Sequence, residues 1–291
     1  MGIGQVISDT FGMVKDRFGT LLGLWAVYFG IFIVMIFVFV IGIGTVGIAG
    51  MAALGGSDPM AEGNLLGLGT GMIAFVVLFY LAYIFVAMAQ YASLITAASP
   101  LRQTTFGDAL GVGWRAAPAM LLLMVILIIA YIALALVMSV AGTALSGMGS
   151  AGSLVLALVA FALFAWLGSR LAPLFAVMAV DGVRNPFTAI GRSWQLTRGH
   201  ALTIFLASLA FLVIVLIVCF VVMLPSIGLL RSMMDPTSLA DAAPALGGMA
   251  LLMLSFLVVS ALFTMLYSAF MAVIHGTLSN ASGGGMVEAF A

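Results

Sequence analysis

Arg170 is the residue whose type and setting most suggest chemistry. It stands in an apolar run, ten residues before position 180, where a fourth membrane span is expected to end. At about 1.5 Å per residue it would lie some 15 Å from that end, near mid-membrane. An intramembrane arginine is costly and ordinarily faces a bundle interior, a cavity or a lipid headgroup. Two other accounts stay open. The span ends near 171–173 and Arg170 snorkels to the interface, or the guanidinium bonds carbonyls exposed near Pro173. Arg184, Arg192 and Arg198 form a second basic group on or beside the segment that follows. Helical spacing puts Arg192, Gln195 and Arg198 on one face, where they would meet an anionic headgroup layer. The positive-inside rule alone is the plainer account of these cations. Phe11, Trp114 and Trp194 are expected as interfacial anchors.

Little else offers reactivity. Tyr80, Tyr83, Gln90, Tyr91, Tyr131, Thr264, Tyr267, Ser268 and His275 are the remaining polar groups in the apolar runs, and no Asp or Glu accompanies them. Coupling through an intramembrane acid is therefore unsupported. His200 and His275 have no Cys, Asp or Glu at metal-ligand spacing, and Cys219 is the only cysteine, which excludes a disulfide. No catalytic residue, metal or cofactor is expected.

The elements that position these residues follow from composition. Of 291 residues, 65% are apolar and 6% are charged, nine basic and nine acidic. A soluble domain carries about 25% charged residues, so the solvent of this chain is the bilayer. The balanced charge excludes a polybasic nucleic-acid binder.

The charge-free gaps mark the spans. A helix needs about 20 apolar residues to cross a core of roughly 30 Å. Six transmembrane helices are predicted, at 21–49, 65–97, 119–141, 154–180, 202–224 and 249–278, with a Gly/Ser/Ala turn over 142–153. Unbroken apolar runs without strand alternation exclude a barrel. Lys15, Arg17, Arg102, Arg115, Arg184, Arg192 and Arg198 fall on one side, against Arg231 with Asp58, Glu62, Asp235 and Asp241 on the other. Both termini are thus expected to be cytoplasmic. The first apolar stretch is too long for a secretory signal, and Met-Gly-Ile-Gly-Gln-Val lacks the Ser or Thr of a myristoylation site. Gly19 with Gly23, and Gly67 with Gly71, have the spacing of close helix approach, and the crowd of glycines at 42, 44, 47 and 50 suggests an unwound outer end of the first span.

The cytoplasmic segments carry a pattern. In 1–18, Ile3, Val6, Ile7, Phe11, Val14 and Phe18 recur at helical spacing, which predicts an amphipathic helix sunk among acyl chains. Aligned on Trp114 and Trp194, the second and third segments both read Ala, then Leu or Ile, Gly, any residue, a small residue, Trp and a long polar side chain. The first fits more loosely, with Val6-Ile7-Ser8 and Phe11 in the matching places. Asn185 and Pro186 suit the N-cap and first turn of the third helix. The expected organisation is one membrane domain of three repeats, 1–98, 99–182 and 183–280, each an interfacial helix plus a transmembrane hairpin, with a cytoplasmic tail at 281–291. The bland alternative is that any amphipathic helix before a span places an aromatic at headgroup level.

Arg170, Asp181, Ala189, Ser193, Trp194, Thr197, Arg198 and Gly199 carry a family likeness. Over about thirty residues the chain resembles the bacterial glycerophosphoryl diester phosphodiesterase membrane domain family, including its stand-alone six-helix inner-membrane proteins. The resemblance implies location in the bacterial inner membrane. It does not extend to the catalytic barrel, for which no soluble segment of roughly 250 residues is present. The expected function is therefore non-catalytic: engaging membrane phospholipids, or acting as an accessory or scaffold subunit alongside other membrane proteins. A transporter or channel for a small or amphipathic solute is the alternative. Nucleic acid is not an expected partner.

Overall fold

The structure is a computed structural model. It describes the backbone of residues 2–53, 62–145, 147, 149–233 and 242–289, and the side chains of 2–46, 70–145, 147, 149–225 and 249–280. Among the described residues the regular elements are all helical: α1 (Ile3–Asp16), α2 (Phe18–Ala53), α3 (Glu62–Ala98), α4 (Phe106–Leu145), α5 (Gly149–Leu171), α6 (Leu174–Val180), α7 (Pro186–Leu196), α8 (Ala201–Met233) and α9 (Ala242–Ala289). Six stretches are long and apolar enough to cross a membrane, the fourth running from α5 through α6. The expected outer-side charges Asp58, Glu62, Arg231, Asp235 and Asp241 lie outside the described side chains.

Four boundaries differ from expectation. The turn expected over 142–153 narrows to the junction between Leu145 and Gly149. The second interfacial segment is not a separate helix but the first three turns of α4, whose 40 residues make a rod of about 60 Å. It starts in a capping box: Thr105 Oγ1 accepts from the Asp108 amide at 3.2 Å, and Asp108 Oδ2 accepts from the Thr105 amide at 3.3 Å. The outer glycines do not unwind the first span, since α2 is continuous to Ala53. Gly42 instead lets the Phe75 ring of α3 approach where a methyl group would sit. The fourth span is broken, α5 stopping at Leu171 and α6 resuming at Leu174, because Pro173 has no N–H with which to continue the helix.

Burial concentrates at the end of the bundle that carries most of the basic residues. There the last turns of α3 (Ala92–Ala98), all of α6 and the stretch of α9 around Phe270 pack together as the core. Toward the other end α3 and α9 present large apolar side chains outward, as suits contact with lipid.

The amphipathic segments are docked on protein. On α1 Val6, Thr10 and Val14 are buried against α8 and α9, while Phe11 and Phe18 of the expected apolar face stay exposed and Ile3 and Ile7 are half-buried. The start of α4 packs on α3, where a side chain at Gly113 would fall on Ser93 Oγ and the Ala89 carbonyl. Helix α7 packs on α5 and α6 through Pro186, Ala189 and Ser193. Its start is as expected, with the Asn185 side chain accepting from the Phe187 and Thr188 amides and Pro186 in the first turn. Three buried positions spaced by four coincide across these segments: Val6, Thr10 and Val14, then Ala109, Gly113 and Ala117, then Ala189, Ser193 and Thr197. The residue after each middle position is a half-exposed aromatic: Phe11 at 38%, Trp114 at 37% and Trp194 at 37%. Gly19, by contrast, meets no neighbour, so the expected Gly19–Gly23 close approach is not formed there.

Candidate functional site

The break at Pro173 creates the setting of Arg170. With α5 ending at Leu171, the Arg170 carbonyl has no helical partner of its own. It accepts instead from Ser193 Oγ at 2.8 Å and from Thr197 Oγ1 at 3.4 Å, which fixes α7 across the end of α5. The Arg170 side chain lies between two indoles, its guanidinium carbon 5.7 Å from the Trp166 ring centroid and 5.3 Å from that of Trp194. Those rings meet edge to face at 5.1 Å. Cation–π contact of this kind holds the guanidinium without consuming its donors. Among the described residues the guanidinium donates a single hydrogen bond, from Nη1 to the Trp194 carbonyl at a long 3.4 Å, and Nε is buried without a partner. Arg170 therefore sits at a helix end, level with the amphipathic helix α7, and not within an uninterrupted span.

A cavity of about 440 Å³ starts at the same turn of α5. Gly168, Ser169, Leu171 and Ala172 form its near wall, with Phe205, Ser208 and Phe211 of α8 and Phe263, Tyr267 and Phe270 of α9 opposite. Phe211 and Phe270 stack at 4.2 Å on its floor, while Phe164, Leu212 and Phe263 are exposed at its mouth. The lining is mainly apolar, with Ser169, Ser208 and Tyr267 as its polar side chains, and the exposed rim is apolar. Its volume falls within the roughly 300–1,000 Å³ of ligand-binding cavities.

A second cluster was missed in the sequence. Asp181, just past α6, accepts from Arg192 of α7 at 2.8 Å and contacts Nε2 of fully buried His275 of α9 at 3.2 Å. Burial pushes the Asp181 carboxyl up, but the hydrogen bond and charge interaction with His275 and the Arg192 guanidinium outweigh it and hold it below its ordinary 3.8. Ser279 Oγ approaches that same Nε2 at 3.4 Å, and Nδ1 has no partner among the described residues. A relay of Ser, His and Asp needs opposite ring nitrogens, so this is a lock joining α6, α7 and α9 and not a nucleophile. His275 is thus not isolated, contrary to what spacing suggests. The signal was available in part: Asp181 belongs to the family-like motif, Arg192 lies within the same stretch, and His275 is the one imidazole in the last span.

The other predicted residues scatter. Arg192 is engaged by Asp181. Gln195 and Arg198 are both exposed, Gln195 on α7 and Arg198 in the turn that follows it, where the Arg198 amide donates to the Gln195 carbonyl at 3.2 Å. Arg184 lies beyond the Gly182 turn (φ 71°), facing α4 rather than the Arg170 group. Trp114 packs on Tyr28 and Phe85 while staying half exposed. Two further arginines cap helix ends: Arg17 donates to the Ala97 carbonyl of α3 at 2.6 Å, and Arg102 to the Val180 carbonyl of α6 at 3.3 Å. No group of His, Cys, Asp and Glu able to hold a metal occurs among the described residues. Compared with protein-family models, curated proteins and solved structures, the chain matches none.

Proposed function

We propose that this chain is a non-catalytic, multi-pass protein of the bacterial inner membrane that engages phospholipids of the cytoplasmic leaflet. The observation that carries the reading is the meeting of two features at one helix end. Arg170 offers uncommitted guanidinium donors, and the α5–α8–α9 cavity, lined by its chain neighbours Ser169 and Leu171 and not by Arg170 itself, offers an apolar slot at the same turn of α5. A phospholipid presents the complementary pair, a phosphate and an acyl chain. Trp166 and Trp194 around the guanidinium suit the depth of headgroups.

The same reading makes the end carrying Arg17, Arg102 and Arg192 cytoplasmic, and with it both termini. It also takes the chain as three repeats. Support comes from the matched burial of Thr10, Gly113 and Ser193 before Phe11, Trp114 and Trp194. Each amphipathic segment packs on the last span of the preceding unit, with α1 closing on α9. The resemblance to the phosphodiesterase membrane domain agrees with this organisation and adds the bacterial setting.

The test is mass spectrometry of phospholipid retained on the protein purified in mild detergent. Wild type should carry stoichiometric lipid. Gly168→Leu, whose side chain enters open space in the cavity, should lose it while the fold survives, and Arg170→Ala should weaken retention of anionic species most. Lipid-free wild type, or retention unchanged in Gly168→Leu, would overturn the proposal.

A further inference from the structure

Three arginines that the lipid slot does not use converge on the cytoplasmic seam between α4 and α6. Arg102 comes from the α3–α4 connection, Arg115 from the third turn of α4, and Arg184 from the α6–α7 connection. Together they line a cavity of about 180 Å³ whose remaining wall is Val112, Ala116, Met178, Ala179 and Gly182. A wider vestibule of about 370 Å³ continues from it past Arg102, Arg115, Gly107 and Gly111. The arrangement follows from the local chain. Gly182 turns at φ 71°, a left-handed conformation that a side chain disfavours, and brings the next residues back toward α4. Arg102 is held by its bond to the Val180 carbonyl.

All three arginines are exposed, so solvent screens their mutual repulsion, and an anion among them would relieve what remains. The one carboxylate on the vestibule, Asp108, keeps its charge but forms no ion pair with the three arginines and accepts from the Thr105 hydroxyl at 2.6 Å. Neither Arg115 nor Arg184 has an acidic partner among the described residues. We propose that Arg102, Arg115 and Arg184 form a binding site for a single phosphoryl group. The inner cavity is smaller than the roughly 300 Å³ at which drug-sized pockets begin, which fits one tetrahedral oxyanion and excludes a whole nucleotide from it. Arginines from three separate stretches of chain can each offer a guanidinium fork to phosphate oxygens. The site shares no lining residue with the α5–α8–α9 cavity, so the failure of either assignment leaves the other standing.

The phosphoryl group belongs either to a lipid headgroup or to a soluble phosphate, and two arms separate these. In the first, the full chain in zwitterionic detergent is titrated calorimetrically with inorganic phosphate. In the second, it is placed in nanodiscs of phosphatidylcholine with one-tenth phosphatidic acid, and the retained phosphatidic acid is measured by native mass spectrometry. Arg115→Gln and Arg184→Gln, neither of which removes a bond found in the structure, should each weaken binding about tenfold or more. Lys15→Gln removes an equal charge from α1 and should change it less than about twofold. Binding in the first arm alone assigns a soluble ligand, in the second alone a headgroup, and in both a site open to either. Absence of binding in both arms, or equal losses in Lys15→Gln, would overturn the site.

Discussion

Removing the Asp181 carboxylate should loosen the joint of α6, α7 and α9, and the structure sets how much each partner contributes. The Asp181 side chain is 13% exposed, whereas that of Arg192 is 50% exposed. The ion pair between them is therefore largely screened and is worth about 0–1 kcal/mol. His275 is different, because its side chain is fully buried. Without Asp181, Nε2 keeps only the long 3.4 Å approach of Ser279, and Nδ1 is already without a partner among the described residues. Stranding a buried polar group costs about 1–3 kcal/mol. Asp181→Ala should thus cost about 2–3 kcal/mol, and Asp181→Asn, which keeps an acceptor oxygen, about 1 kcal/mol. Arg192→Gln should cost at most about 1 kcal/mol. Reversible unfolding in mixed micelles, followed by tryptophan fluorescence, gives the order. A cycle of Asp181→Ala with His275→Ala should return a coupling of about 1 kcal/mol or more. If Arg192→Gln costs as much as Asp181→Ala, or the cycle is additive, the buried contact is not what holds the joint.

Three further outcomes follow from the packing. Gly113→Ala places a methyl on Ser93 Oγ and the Ala89 carbonyl, and should cost about 1–3 kcal/mol by overpacking; Gly12→Ala in α1, which meets open space, should stabilise by up to about 1 kcal/mol. Both are measured as unfolding midpoints. Ser193→Ala with Thr197→Val removes the hydroxyls on the Arg170 carbonyl; it should cost about 1–3 kcal/mol and raise amide exchange across α7. The Asp181 carboxyl ionises below its ordinary 3.8, so its contribution is full above that value and is lost as pH falls through the lowered one. The stability difference between wild type and Asp181→Asn should accordingly shrink below about pH 4.

The spans were legible because eighteen charges leave apolar gaps that only helices can carry through lipid. What hydropathy does not distinguish is lipid from protein as the apolar surroundings. Residues 174–180 continue the apolar run of α5, yet α6 is buried in protein and the helix breaks at Pro173. The amphipathic pattern of α1 is the same whether its stripe faces acyl chains or, as found for Val6 and Val14, α8 and α9. Nor could periodicity separate the start of α4 from its span, since a continuous helix and two abutting ones repeat alike. At the site, Arg170 stood out as a charge in an apolar run, and its link to Ser193 and Trp194 lay within one motif. The Asp181–His275 contact joins residues 94 apart in sequence, which spacing does not reveal. The Arg102, Arg115 and Arg184 pocket was hidden for the same reason: each arginine taken alone satisfies the positive-inside rule.

The occupancy of the α5–α8–α9 cavity decides the account. A phospholipid carrying a diazirine in its acyl chain, photolysed in membranes containing the full chain, reports which residues touch lipid tails. Label is expected to concentrate on the part-exposed cavity wall, at Leu171, Phe205, Ser208 and Tyr267. Gly168→Leu should remove that label and leave the labelling of outward-facing Phe37 and Phe220 unchanged. Labelling that simply follows outward exposure, the same in wild type and Gly168→Leu, would contradict a lipid site.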